Sequence, residues 1–201
     1  MKTDLPVHIP YNPLEKKNIG SSIVQAMLGR PLEALPPTEP FIGAGVYAIY
    51  YKGTNTIYAQ LARNEIPIYV GKAIPIGARK GNVGLNSTQG TALYNRLRQH
   101  ADSIAAVEDF RSADFMCRYL AVDDIWIPLA ETLLIERFRP VWNVAVDGFG
   151  NHDPGRGRYN QQRSAWDTLH SGRLWAKRLN KGLFTRSQLA EKVALFISSQ
   201  S

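Results

Sequence analysis

Tyr47, Tyr69, Arg96, His100 and Glu131 are residue types that together can hydrolyse a phosphodiester, and their spacing along the chain suggests that they meet. A carboxylate can hold a divalent cation, a guanidinium can bind phosphate, and a phenol or imidazole can move protons. Glu131 lies within an apolar helical pattern. At 100° per residue, Ile127, Leu134, Ile135 and Phe138 fall within about 60° of it, which predicts a carboxylate at the centre of the apolar stripe. A charge there is costly unless it is paired or binds a cation. Glu136 falls about 140° away, on the solvated side. Arg96 and His100, one turn apart, border a stripe formed by Leu93, Leu97, Ile104 and Val107, while Arg98 points away. No P-loop, Cys/His zinc cluster or dinucleotide fingerprint offers a competing chemistry, so no nucleotide cofactor is expected.

The elements that must position these side chains begin with GVYAIYY at 45–51 and IPIYVGK at 66–72. Both are β-branched and aromatic and read as strands, and the second repeats Gly-Val-Tyr in reverse. Antiparallel pairing with Val46 opposite Val70 would set Tyr47 opposite Tyr69 and bring two phenols to one spot. The stretch TIYAQLARNE is ambiguous. A long polar loop follows Gly71, and Thr91 is expected to cap a helix through ALYNRLRQHADSIAAV. DFMCRYLAV reads as a third strand. Asp123 or Asp124 can cap a helix through WIPLAETLLIERF, which Pro140 stops. The expected fold is mixed α/β (α+β), a small antiparallel three-stranded sheet flanked by helices. Residues 1–40 read as a Pro-rich arm with a short helix at SSIVQAMLG, 41–147 as the catalytic core, and 148–201 as a loop-rich, weakly helical extension of the same domain.

The 201 residues are 44% hydrophobic, enough for a substantial core, and carry a net charge of +7. The excess is local: residues 151–181 hold seven Lys/Arg against two acids, 7 − 2 = +5. Tyr159, Trp166 and Trp175 are interleaved with these cations, and Asn160, Gln161 and Gln162 offer hydrogen-bonding groups. Such a segment suits a polyanion that carries readable bases, which points to nucleic acid. No stretch approaches the roughly 20 apolar residues of a membrane span, and the N-terminal stretch has no apolar signal region, so a cytoplasmic protein is expected. The single cysteine, Cys117, sits in an apolar alternating stretch and reads as a buried core thiol.

Gly45-Val46-Tyr47, Tyr69-Val70-Gly71, the helix segment Arg96-Leu97-Arg98-Gln99-His100, and Glu131 followed 12 residues later (143 − 131) by Asn143 occur in the order of the GIY-YIG nuclease superfamily, which this chain resembles. Pro140 and Trp142 just before Asn143 strengthen the last match. The tyrosines are 22 residues apart (69 − 47), longer than is usual in that superfamily, and the loop from Lys72 to Gly90 is also expanded. These inserts look like DNA-contacting additions. With its flanks, the chain is similar to the stand-alone type II restriction endonucleases of the superfamily, nearest to those cutting the palindrome CCGCGG, the SacII specificity.

The resemblance implies metal-dependent hydrolysis of double-stranded DNA. Glu131 would hold Mg²⁺, with Mn²⁺ as a substitute, and Arg96 would neutralise charge on the phosphoryl oxygens. Tyr47 would act as general base, assisted by either His100 or Lys72, with Tyr69 orienting water or phosphate and Asn143 fixing geometry. Arg156, Arg158, Arg163 and Arg173 are expected to reach guanine edges or phosphates, with Asn160, Gln162 and Lys72 as further DNA contacts, and Lys177 and Arg178 beside phosphates. A palindromic site with one active site per chain implies a C2 homodimer, to which the arm at 1–40 would contribute dimer or DNA contacts. Two alternatives stand beside this: a repair or structure-selective nuclease of the same chemistry, and a DNA-binding module that does not cleave.

Overall fold

The computed structural model describes residue 12 and residues 14–62, 65–75 and 90–200. The first eleven residues of the arm and the segment 76–89 of the expanded loop lie outside the described residues. The elements are α1 (Lys16–Leu28), β1 (Glu33–Ala34), β2 (Gly45–Tyr51), α2 (Ala59–Ala62), β3 (Tyr69–Ala73), α3 (Ala92–Ala105), β4 (Phe115–Ala121), α4 (Ile127–Phe138), α5 (Val141–Val144), α6 (Ala165–Leu169) and α7 (Arg186–Ser198).

The class is mixed α/β, as expected, but the sheet has four strands rather than three. Their order is β1-β4-β2-β3, and every pairing is antiparallel. β1 is two residues long, pairing Glu33 with Cys117 and Ala34 with Met116, and a strand that short shows no alternation in the sequence. All seven residues of β2 are buried. A strand covered on both faces carries apolar or aromatic residues throughout, and β2 feeds two separate cores. Val46, Ala48 and Tyr50 pack with Met27, Ile127, Ala130 and Leu134 from α1 and α4. Tyr47, Ile49 and Tyr51 pack with Leu93 and Leu97 of α3 and with Trp142, Phe149, Trp166 and Leu189 of the C-terminal third.

The arm contributes more core than its composition suggests. α1 starts at Lys16, ahead of the expected SSIVQAMLG, and buries Met27 against α4 and the sheet. Gly20, a poor helix former, lies where a Cβ would come 3.5 Å from Leu133, so the helices approach closely there. Thr91 does not cap α3 with its side chain. Instead its Oγ1 accepts from Asn95 Nδ2 at 2.9 Å, while the amide of Leu93 donates to the Gly43 carbonyl at 3.0 Å. Asp123 caps the turn Asp124–Trp126 by accepting from the Ile125 amide. α4 ends at Arg139, whose left-handed backbone (φ 45°) precedes Pro140. In the C-terminal third, Ser164 caps α6, and Thr185 forms a capping box with Gln188 at the start of α7. Cys117 is fully buried, and burial pushes its thiol up to about 12. Among the described residues no helix is long and apolar enough to cross a membrane.

Candidate active site

β2 and β3 pair with Tyr47 opposite Gly71 and Ile49 opposite Tyr69, two residues out of the register expected from the mirrored motif. A shift by an even number keeps every side chain on its face. Tyr47 and Tyr69 therefore remain on one face, as diagonal neighbours with ring centroids 6.3 Å apart. The physical reason lies in Gly71. A Cβ there would fall 2.4 Å from the Tyr47 hydroxyl and 2.9 Å from the Tyr69 ring, so the Tyr47 phenol occupies the space that the glycine leaves. Gly45 serves the other edge of β2 similarly, since a Cβ would meet the Leu120 carbonyl oxygen at 2.1 Å.

α3 runs over this face and delivers its two predicted residues. His100 is buried, with Nε2 2.6 Å from the Tyr47 hydroxyl. Its ring stacks on Phe149 at 4.5 Å and meets the Tyr69 edge at 5.3 Å. Burial pushes the Tyr47 phenol well above its usual range, and neighbouring Tyr69 adds to this against the opposing pull of Arg96. Burial also drives His100 well below its usual range, and the cationic Arg96 reinforces the shift. At neutral pH the pair is thus phenol and imidazole, with no charge on either. Tyr69 is raised as well, chiefly by burial.

Arg96 is half-buried one turn earlier. Its Nη2 donates to the Gly150 carbonyl at 2.9 Å, and its Nη1 donates to Gln99 Oε1 at 3.1 Å and to His152 Nε2. Arg98 is exposed, as the helical periodicity predicted.

Lys72 and Glu131 approach from the opposite side. Lys72 lies opposite Val46, so the pleat turns it away from Tyr47, and its Nζ meets Glu131 Oε2 at 2.6 Å. β3, which carries both Tyr69 and Lys72, is an edge strand of the sheet. Glu131 acts electrostatically on both Tyr47 and Tyr69. Its place differs from the expected centre of the stripe. The buried residues of α4 are Ile127, Ala130, Leu133 and Leu134, and Glu131 flanks them with 21% of its side chain exposed. The helical wheel could not anticipate α1, which covers Leu133 and rotates the buried arc away from Glu131. Glu136 is solvated and pairs with Lys16.

Asn143, positioned by α5, closes the free edge of β3. Its Oδ1 accepts from the Val70 amide and its Nδ2 donates to the Val70 carbonyl, both at 2.8 Å. The side-chain amide thereby replaces a neighbouring strand for one residue.

The basic extension divides into two classes. Arg156 and Arg158, on the turn Arg156–Arg158, are exposed, as are Asn160 and Gln162. Arg163 is half-buried and its Nε donates to the Ala176 carbonyl. Arg173, expected among the DNA contacts, is corrected by the structure. It is 4% exposed, bonds Asp167 at 2.7 Å and the carbonyls of Gly148, Phe149 and Asn151, and lies against the rings of Trp166 and Trp175. An alternating basic and aromatic sequence does not reveal that one of its arginines has a buried aspartate waiting.

Phe149, Gly150 and His152 carry no helical or strand periodicity and escaped the sequence reading, yet they cover His100 and hold Arg96. A second tyrosine–histidine pair, Tyr58 and His170 at 2.7 Å, also went unnoticed. It lies in the core with Trp142, whose Nε1 donates to Tyr58. Of these two pairs, Tyr47–His100 is the one whose phenol feels both an arginine, Arg96, and a carboxylate, Glu131.

Residues 39–197 match the family model described as the Eco29kI GIY-YIG domain, and no curated protein matches the chain. The match takes in β2, β3, α3, α4 and α5, which bring the tyrosines, Arg96, His100, Glu131 and Asn143 together, and most of the extension behind them. The chain therefore belongs to the Eco29kI family of GIY-YIG domains, the GIY-YIG nucleases of restriction-endonuclease type.

Proposed function

We propose that the protein is a sequence-specific restriction endonuclease that hydrolyses double-stranded DNA at a palindromic, GC-rich site, CCGCGG, in a reaction requiring Mg²⁺ or Mn²⁺. The observation that carries this reading is the neutral Tyr47–His100 pair beside Arg96, with Glu131, paired to Lys72, acting electrostatically on both tyrosines. The residues suit a hard divalent cation. Glu131 is a half-buried carboxylate held in place by an ammonium, and among the described residues no cluster of three His, Cys, Asp or Glu side chains forms a closed cage. Magnesium commonly takes one or two carboxylates and completes its shell with water and substrate phosphate. Glu131 would hold the ion, which when bound polarises the scissile phosphate and steadies the departing oxygen.

The chain's own residues then divide the remaining work. A phenol is a poor base near neutrality, and an isolated phenolate or imidazolium is disfavoured by the burial of this pair. A concerted relay avoids the phenolate: Tyr47 takes a proton from the attacking water as its own passes along the 2.6 Å bond to His100 Nε2, and the imidazolium so formed is offset by the negative charge of the docked phosphate. This assigns the assisting role to His100, and Lys72 to Glu131. Tyr47 is fully buried, so the relay requires the neighbouring Tyr69 side chain to move aside as DNA docks. Arg96 neutralises charge developing on the phosphoryl oxygens. Arg156, Arg158, Asn160, Gln162 and Arg163 face the duplex, and a C2 homodimer places one site on each strand.

The test is digestion of plasmid DNA with Mg²⁺ and sequencing of the fragment ends. Discrete double-strand fragments ending within one palindrome are expected. Nicking confined to lesions or junctions would point to a structure-selective nuclease, and binding without cleavage would leave only a DNA-binding module.

A further inference from the structure

The segment 148–152 passes between two guanidinium groups. On one side Arg173, buried and paired with Asp167, donates to the carbonyls of Gly148, Phe149 and Asn151. On the other side the Gly150 carbonyl and the His152 ring accept from Arg96. Four successive carbonyls are thus divided between the two arginines, and the buried one anchors the backbone that carries the acceptors of the other. An arginine can only donate, so His152 Nε2 must be a bare acceptor, with its ring proton on Nδ1. Phe149, between the two groups, stacks on His100 and meets the edge of Tyr69. One short loop therefore touches three of the groups assigned to the chemistry.

A long arginine side chain at the half-buried end of its reach loses considerable rotamer freedom when fixed, and without acceptors its fork would sample many orientations. Three acceptors, the Gly150 carbonyl on Nη2 and Gln99 Oε1 with His152 Nε2 on Nη1, set the plane of the fork. His152, itself exposed, also lines a cleft of about 340 Å³ with Arg158, Gln161, Gln162 and Trp175, so its imidazole links this guanidinium to the exposed polar face.

Resting on the nuclease reading above, we infer that His152 is a positioning residue for Arg96: its imidazole, on a loop braced by the Asp167–Arg173 pair, orients the guanidinium towards the scissile phosphate. His152→Ala removes one of the two acceptors on Nη1 and leaves only the exposed Gln99 on that nitrogen, while His152→Gln retains an oxygen acceptor without an imidazole. With a duplex that the wild-type protein cuts, the expected single-turnover rate of His152→Ala is about tenfold lower, the equivalent of one charge-assisted hydrogen bond. Duplex affinity measured without divalent cation should stay within about twofold, and His152→Gln should recover most of the rate. A wild-type rate in His152→Ala, a faster one, or a loss matched by an equal loss of affinity would overturn the assignment, as would a glutamine variant as impaired as the alanine one.

A second measurement needs neither DNA nor cleavage. In nitrogen-15 spectra of the free protein, assigned through Arg96→Lys, the Arg96 side-chain N–H signals should broaden or lose exchange protection in His152→Ala and regain it in His152→Gln. Unchanged signals would refute the positioning role even if the wild-type protein proved to cut no DNA, an outcome that would by itself count against the nuclease reading only.

Discussion

Tyr47 and His100, from which the proposed proton relay would start, are two neutral side chains held in a space that favours neither ion. Tyr47→Phe keeps the ring that fills the space over Gly71 but removes the hydroxyl that reaches His100. Cleavage should fall by at least about 10²-fold, the usual scale of general acid–base catalysis, with a stability loss of about 1 kcal/mol for one buried hydrogen bond. Single-turnover rates and urea unfolding check the two halves separately. Glu131→Ala should abolish cleavage while duplex binding in a gel-shift assay survives; cleavage persisting in this variant would remove the metal site from Glu131. The histidines also set a dependence on acidity. His100 is lowered well below its usual value, and His170 to about 3, both through burial. Below about pH 6.5 the unfolded chain binds protons at these sites and the folded one does not. Stability should therefore be unaffected above pH 7 and fall as the pH drops from about 6.5 towards 3. At pH 5.5 each histidine costs on the order of 1 kcal/mol. Urea midpoints at pH 7.5 and pH 5.5 read this directly, and His170→Asn should flatten the difference.

At the scale of the element, β3 is where the site is made, and it is a five-residue edge strand. Its inner neighbour β2 supplies Tyr47, its own Tyr69 and Lys72 point to opposite faces, and its free edge is closed by Asn143. Asn143→Ala removes both bonds to Val70, so a loss of about 1–3 kcal/mol is expected from the unpaired backbone groups. Cleavage should fall further than stability alone explains, because Tyr69 precedes the released residue. Asn143→Asp separates the contributions: it retains an acceptor for the Val70 amide but sets a carboxylate against the Val70 carbonyl, and it should rescue little. Gly71→Ala places a methyl carbon 2.4 Å from the Tyr47 hydroxyl, which must shift. The expected result is a folded protein, by circular dichroism, without detectable cleavage.

For the molecule as a whole, the +5 excess in residues 151–181 is not a uniform binding surface. Arg156→Ala with Arg158→Ala should weaken duplex binding, and flatten its dependence on salt, with little change in melting temperature. Arg173→Ala should act in the opposite way. It leaves Asp167 as a buried charge without its cation, a defect costing about 3–5 kcal/mol, and releases the loop behind Arg96. Melting temperature and salt-dependent affinity, measured on both variants, distinguish the contact surface from the internal strut. Binding by the wild-type protein should weaken steeply with ionic strength.

How much of this was legible in the sequence depends on whether the signal was local. Strand and helix types followed from β-branched runs and 3.6-residue periodicity, which are properties of neighbouring residues. The grouping of Tyr47 with Tyr69 and of Arg96 with His100 followed from parity along a strand and from one helical turn. Parity survives a register error of two residues, which is why the phenols meet although their predicted pairing was wrong. The sequence by itself determined the class of elements, the faces they present and the set of groups able to do chemistry. The tertiary structure alone decided which cation faces Glu131, which imidazole bonds the Tyr47 hydroxyl, that Arg173 is internal, and that a loop without periodicity holds Arg96. Each of those outcomes is set by contacts between segments distant in the chain, where space left by a glycine or a charge buried on another element selects the partner, and no local pattern records that selection.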